Sequence, residues 1–321
     1  MSIRDCKIYK ALIYPVLQCI GYYKMKAKFR KWARIGILTR EDTQKKSKIK
    51  ELISNLPIGF LPSKITKDSI VISLTSYGKR VEDTLPYVLY TLVTQTIRVG
   101  KIVVYLDNDN WSDEKLPSLL QHFKRVGVDF RYCDDLRSYK KIIPALRDFP
   151  DNPIITVDDD LYYNDHMVEW LLDAHKNLPK KSVVGLWACI VAARDGKYLP
   201  YNTWKDCQYK TLESEFALYT GYGTLYPPHI FDKEVMNSEI FLALCPTADD
   251  IWMWAMEKRL NIPVYVTENA ALGLHTDVNR KNMLFPEENK ESLYYVNELM
   301  GNKNDEQLNN LVNYYNLYPS K

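Results

Sequence analysis

Three consecutive carboxylates, Asp158-Asp159-Asp160, close the apolar run Pro153-Ile154-Ile155-Thr156-Val157. Like charges packed this closely repel and are costly to leave uncompensated. Alternation along an extended strand puts Asp158 and Asp160 on one side and Asp159 on the other. Two hard oxygen donors on one side suit Mg2+ or Mn2+, with a diphosphate completing the coordination shell. Such an ion would neutralise charge on a departing diphosphate. The competing reading is a solvated acidic turn capping the helix expected to begin near Asn164. A second acidic pair, Asp249-Asp250, opens the helical-looking stretch Asp-Asp-Ile-Trp-Met-Trp-Ala-Met-Glu-Lys-Arg. Thr247 is its expected N-cap, and acids in a first turn favour the helix dipole. One carboxylate can cap while the other faces a cleft and takes a proton from a hydroxyl. Asp250, one step further into the helix, is the stronger candidate for that role.

The elements that must carry these acids alternate. Apolar, β-branched runs at 69–74, 101–106, 128–132 and 153–157 read as buried strands. Residues 81–94, 113–125, 138–148 and 164–177 read as the helices between them. Strands at this spacing imply a parallel α/β sheet, in which a ligand lies beyond the carboxyl ends of the strands. Thr75, Tyr77 and Arg80 follow the first strand, Asp107 and Asp109 end the second, and Asp158 and Asp160 end the fourth. They therefore share one neighbourhood. Further on, 183–191 and 264–266 look like strands, and residues beyond about 285 look polar and helical.

With 321 residues, 46% hydrophobic and 26% charged, the chain has the balance of a globular protein with a sizeable core. The mean hydropathy of −0.33 argues against a polytopic membrane protein. Only 12 residues are Gly, and neither a GxxxxGK[ST] nor a GxGxxG motif occurs, so phosphate would have to be held by other means. The six cysteines (Cys6, Cys19, Cys133, Cys189, Cys207, Cys245) are scattered without a CxxC pair, a pattern expected of reduced, mostly buried thiols in a cytosolic protein. Charge is uneven. Residues 1–50 hold 14 Lys/Arg against 3 Asp/Glu, leaving a net of −8 for the rest. Within this head, Phe29, Trp32 and Ile35 recur among Lys and Arg at roughly helical spacing. Such a segment suits an anionic membrane surface; the alternatives are a solvated basic helix and nucleic acid, which the acidic remainder disfavours. The apolar stretch 11–20 is too short to span a bilayer.

The segment Ile-Ile-Thr-Val-Asp-Asp-Asp-Leu-Tyr-Tyr resembles the Asp-x-Asp segment of GT-A-fold glycosyltransferases, and the resemblance extends over roughly residues 68–275. Residues 72–80 look like the nucleotide-contacting opening of that fold. Thr220-Gly221-Tyr222-Gly223-Thr224-Leu225-Tyr226-Pro227-Pro228 looks like its Gly-containing loop near donor sugar and acceptor, and residues 246–254 are similar to its acidic helix start. Gly221 and Gly223 can equally serve a tight turn. The resemblance implies an α/β fold: a Rossmann-type, mostly parallel sheet flanked by helices. A basic helical segment (1–60) would precede the catalytic domain (61–280) and a helical tail (281–321) would follow it. It implies transfer from a nucleotide-diphosphate sugar, most often a UDP-sugar, to a carbohydrate or lipid-linked hydroxyl acceptor with Mn2+ or Mg2+. The expected setting is cell-surface polysaccharide assembly in the cytoplasm or on the inner face of the membrane. It implies donor contacts from Thr75, Tyr77, Arg80, Asp107, Asp109, Lys140, Asp158, Asp159, Gly221 and Gly223. Metal ligation falls to Asp158, Asp160 and His275. Lys141 shares the phosphate-contacting prospect of Lys140. Two rival readings are a haloacid-dehalogenase-type phosphatase, which also places Asp-x-Asp after a strand, and a binding module without turnover.

Overall fold

The computed structural model describes every residue except 1–21, 208–214, 269–275, 286, 288–289, 291, 294 and 320–321. Seven strands form the central sheet: β1 (Val71–Thr75), β2 (Lys101–Asp107), β3 (Asp129–Cys133), β4 (Ile154–Val157), β5 (Val183–Gly185), β6 (Tyr222–Tyr226) and β7 (Val264–Val266). Their spatial order is β7-β5-β6-β4-β1-β2-β3. Six run in one direction. Only β6 opposes its neighbours, pairing antiparallel with both β4 and β5. The mostly parallel α/β fold expected from the alternating runs is therefore the one observed.

Period-two alternation sorts the strand residues into two cores. Ile72, Leu74, Ile102, Val104, Leu106 and Ile155 face one layer, with α1 (Tyr22–Ser54), α2 (Leu85–Val93), α3 (Ser118–Val126) and α5 (Met167–Lys176) around it. Val71, Val103, Tyr105 and Ile154 face the other, packed with α6 (Ser238–Leu244), α7 (Asp249–Arg259) and α8 (Lys303–Tyr315). Each such side chain taken wholly out of water stabilises by about 1.5–3 kcal/mol. Trp252 and Trp254 are buried in this second core; their indole N–H groups donate to the Val235 carbonyl and to Glu215.

Three expected helices are broken, each at a proline. The 81–94 helix divides at Thr84, because Pro86 has no N–H to donate and its ring crowds the preceding turn. Pro117 separates a short 3₁₀ turn at Asp113–Lys115 from α3. Pro144 starts α4 (Ile143–Asp148) and leaves Arg137–Lys141 as 3₁₀. The expected 183–191 strand also divides. Ala188–Ile190 leaves the main sheet and pairs with Lys205–Cys207 and Phe216–Leu218 in a small antiparallel sheet. Among the described residues no helix is long and apolar enough to cross a membrane, and Cys133, Cys189, Cys207 and Cys245 are free thiols.

Candidate functional site

β4 delivers Asp158-Asp159-Asp160 to the carboxyl edge of the sheet, beside the segment that leaves β1. Asp159 is 4% exposed, accepts from the Ser76 hydroxyl, and accepts Arg80 Nη1 at 2.7 Å. The other arm of the same guanidinium, Nη2, reaches Asp160 Oδ2 at 2.6 Å. Arg80 thus bridges neighbouring carboxylates with the two arms of one planar guanidinium. Tyr77 lies against it, with the guanidinium 5.1 Å from the ring centre. On the opposite side, Lys141 Nζ sits 2.7 Å from Asp158 Oδ1 and 3.1 Å from Asp249 Oδ2. This buried lysine ties the strand-end acids to the start of α7.

Thr220, fully buried ahead of β6, completes the link. Its N–H donates to Asp250 Oδ1 at 2.8 Å, and its hydroxyl lies 2.6 Å from that oxygen and 3.0 Å from Asp249 Oδ2. Tyr163 pins the next turn: its hydroxyl takes the Asp158 N–H at 2.7 Å and donates to the Gly221 carbonyl. At Gly221 an added Cβ would fall 1.8 Å from Asp158 Oδ2, so only glycine leaves room for that carboxylate. Gly223 lies within β6 at φ +98°, beside a bulge in the β4–β6 register, where a side chain would be strained. The Gly-containing loop expected at 220–228 is thus mostly a strand. Glycine and proline punctuation hid it, and its inward side comes within reach of the acids.

The electrostatics follow from crowding. Around Lys141 and Arg80 stand Asp158, Asp159, Asp160, Asp249 and Asp250, with Asp277 nearby, so carboxylates outnumber cations. Burial opposes the Lys141 charge, but Asp158, Asp249 and Asp250 together hold its pKa above the usual lysine value. Burial likewise opposes the Arg80 charge, and Asp159 and Asp160 reverse the effect. Burial pushes Asp160 up to about 7; Arg80 opposes this, while Asp159, Asp158 and Asp277 add to it. Burial and Asp249 lift Asp250 to about 7 against the pull of Lys141 and Thr220.

The alternation expected at 158–160 does not hold: β4 ends at Val157, Asp160 shares Arg80 with Asp159, and Asp158 turns to Lys141, so the two expected ligands both carry ion pairs and fit a hard divalent cation only in part. Asp158 and Asp160 are 36% and 28% exposed, and their ion pairs with Lys141 and Arg80 each use one carboxylate oxygen. Among the described residues no three His, Cys, Asp or Glu side chains gather into a protein-only metal site. A cation here would take the remainder of its shell from ligand and water, as Mg2+ commonly does. His275 lies outside the described residues. Its chain neighbours Thr276 and Asp277 pair antiparallel with Tyr162 and Leu161, directly after the acidic run.

The other expected contacts are distributed unevenly. Lys140 is buried against Asp135, away from the acids, and Lys141 stands there instead, because the 3₁₀ turn sends adjacent side chains in different directions. The Asp107 carboxylate is engaged in a local turn with the Asn110 N–H and amide at 2.9 and 2.6 Å. Asp109 is exposed two residues beyond β2, and the Thr75 hydroxyl donates to the Tyr105 carbonyl at 2.8 Å. Thr247 is not the cap of α7. Ala248 takes the N-cap position, while the Thr247 hydroxyl engages Asn297 and Gln307. Sequence reasoning passed over Ser76, Thr220 and Tyr163. Ser76 and Thr220 lie inside the segments 72–80 and 220–228 singled out in the sequence, which pointed to the neighbourhood without picking out either side chain; Tyr163 carried no signal of its own.

No protein-family model matches the chain, and no curated protein matches it in sequence. Similar solved structures include S. aureus TarS 1–349 in complex with UDP, at 14% identity and TM-score 0.39. That match covers 63% of this chain and 58% of TarS 1–349, so this chain spans less than two thirds of it. A cytidylyltransferase from Leptospira borgpetersenii matches at 12% identity and TM-score 0.40 over 68% of this chain and 85% of its own. Glucosyl-3-phosphoglycerate synthase from Mycobacterium tuberculosis, bound to Mn2+, UDP and glucosyl-3-phosphoglycerate, matches at 13% and TM-score 0.29 over 37% of this chain and 43% of its own. Likeness this distant assigns no residue a role.

Proposed function

We propose that this chain is a GT-A-type glycosyltransferase that moves a sugar from a nucleotide-diphosphate donor to a hydroxyl acceptor. The observation that carries the reading is the junction of the β4 acids with the start of α7 through Lys141 and Thr220, at the carboxyl ends of parallel strands. An α/β sheet binds its ligands at that edge. The diphosphate would meet Arg80 and Lys141, and the base and ribose would lie toward Thr75, Tyr77 and Asp109. Mn2+ or Mg2+ held by Asp158 and Asp160 would supply charge neutralisation for the departing diphosphate. Asp250, ionising near neutral pH, is suited to take the acceptor proton in an inverting transfer. In a retaining transfer it would orient the sugar. Asp249, held by Lys141 and Thr220, fixes the local geometry. UDP as the carrier, and a carbohydrate or lipid-linked acceptor in cell-surface polysaccharide assembly, belong to the same proposal.

A thermal-shift screen of nucleotide sugars with and without Mn2+ tests it. A metal-dependent rise with one donor, followed by turnover on an acceptor panel, supports transfer. Turnover of p-nitrophenyl phosphate alone would replace it with the phosphatase reading, and donor binding without turnover across the panel would replace it with a binding module.

A further inference from the structure

The two halves of α1 behave differently. Its later residues face the body: Asp42 accepts the Arg280 N–H at 2.9 Å and Nε at 2.7 Å, Lys46 donates to Asn279 at 2.8 Å, and Ile49 and Ile53 are buried. With Lys31 and Leu38 these positions make one stripe at 100° per residue. The opposite stripe is uncovered. Phe29, Trp32 and Ile37 are 74%, 63% and 59% exposed, with exposed Ala33 and Gly36 between them. Exposed Arg30 and Arg34 border this strip on one side, and exposed Arg40 closes its end. Residues 22–40 contain seven Lys/Arg and no Asp or Glu. A large aromatic and aliphatic strip left bare in water marks a binding face. Lys31 on the body side pairs with Glu287 at 2.7 Å, whereas aromatic side chains beside exposed arginines match the boundary layer of an anionic bilayer.

We propose that the exposed face of α1 seats on an anionic lipid surface, with Phe29, Trp32 and Ile37 entering the interface and Arg30, Arg34 and Arg40 meeting the head groups. The root of α1 rests beside the acidic edge. Lys45 Nζ lies 3.5 Å from the centre of the Tyr162 ring, two residues after Asp160, and Arg280 follows the strand that pairs with Leu161–Tyr162. Docking would therefore set the acidic edge at a fixed distance from the bilayer. The inference does not depend on sugar transfer, because it concerns a different surface and its test contains no nucleotide.

The test is co-sedimentation of the full chain with vesicles of phosphatidylcholine, alone or with one quarter phosphatidylglycerol. The account predicts at least about tenfold stronger partition onto the anionic vesicles, reversed by salt on the order of 0.5 M. Phe29→Ser/Trp32→Ser/Ile37→Ser and Arg30→Gln/Arg34→Gln/Arg40→Gln should each lose it while melting like the parent, since every changed side chain is exposed. Equal partition onto both vesicle types, or anionic binding that survives both triple variants, overturns the proposal. So does absence of vesicle binding together with a dimer, seen by sedimentation velocity, that the apolar triple variant dissolves; that result would assign the face to a second copy.

Discussion

Arg80 gives the most exacting test of how the acidic edge is held together. It is 24% exposed and bridges Asp159, which is 4% exposed, and Asp160, which is 28% exposed. Arg80→Gln would leave Asp159, among the described residues, with the Ser76 hydroxyl as its remaining side-chain partner. Stranding one member of a buried ion pair costs about 3–5 kcal/mol. Water reaches part of this pair, which lowers the expectation to about 2–3 kcal/mol. At about 2–4 °C per kcal/mol for a domain of this size, melting should fall by about 5–10 °C. The assay is thermal and urea unfolding in EDTA for wild type, Arg80→Gln, Asp159→Asn and the double variant. Asp159→Asn removes the stranded charge, so the double variant should recover at least about 1 kcal/mol relative to the sum of the singles. A cost below about 0.5 kcal/mol for Arg80→Gln, or strict additivity, would refute the view that this arginine is the counter-charge of the edge.

Gly221→Ala drives a Cβ into the Asp158 carboxylate; it should leave the chain folded but weaken metal-dependent donor binding by at least about tenfold, measured by calorimetry. Asp250→Asn should reduce turnover by about a hundredfold or more, as loss of a general base does, whereas Asp249→Asn should act mainly on melting temperature. Normal rates in both would leave the start of α7 as scaffold. Glu257 is buried with both oxygens lacking a hydrogen-bond partner among the described residues, and burial, with a contribution from Asp250, raises its pKa well above the usual value. A raised folded-state pKa contributes stability below the unfolded value near 4, and that stability is lost as pH rises toward the folded one. Glu257→Gln does not titrate, so its melting temperature should exceed that of wild type at pH 8 and approach it near pH 4.5. An unchanged gap across that range would contradict the buried-acid account.

The strands were legible because β1, β2 and β4 are apolar and β-branched, and turn residues bound each run. β6 was not, since Gly221, Gly223 and the Pro227-Pro228 pair punctuate its sequence as a loop, and only pairing with β4 and β5 makes it a strand. The broken helices were readable in principle from Pro86, Pro117 and Pro144. Asp158 and Asp160 announced themselves by charge density at a strand end. What compensates them did not: Arg80 lies 78 positions upstream of Asp158 in the numbering, and Lys141 and Lys140 differ only in how a 3₁₀ turn aims them. Thr220 was readable only as part of its segment. Its role is to place one hydroxyl and one amide against two aspartates distant in sequence, and a lone threonine carries no such signature. The same limit moved the α7 cap from Thr247 to Ala248, because Asn297 and Gln307, some 50 and 60 residues away, compete for the hydroxyl.

The central claim is that Asp158 and Asp160 hold a divalent ion that in turn holds a nucleotide diphosphate. Titration calorimetry of the best-shifting nucleotide sugar tests it most directly, with Mn2+ and then with EDTA, on wild type, Asp158→Asn and Asp160→Ala. The account predicts one site per chain with Mn2+, lost in EDTA and in both variants while their apo melting curves remain cooperative. Donor binding of equal strength in EDTA, or undiminished in Asp160→Ala, would contradict it.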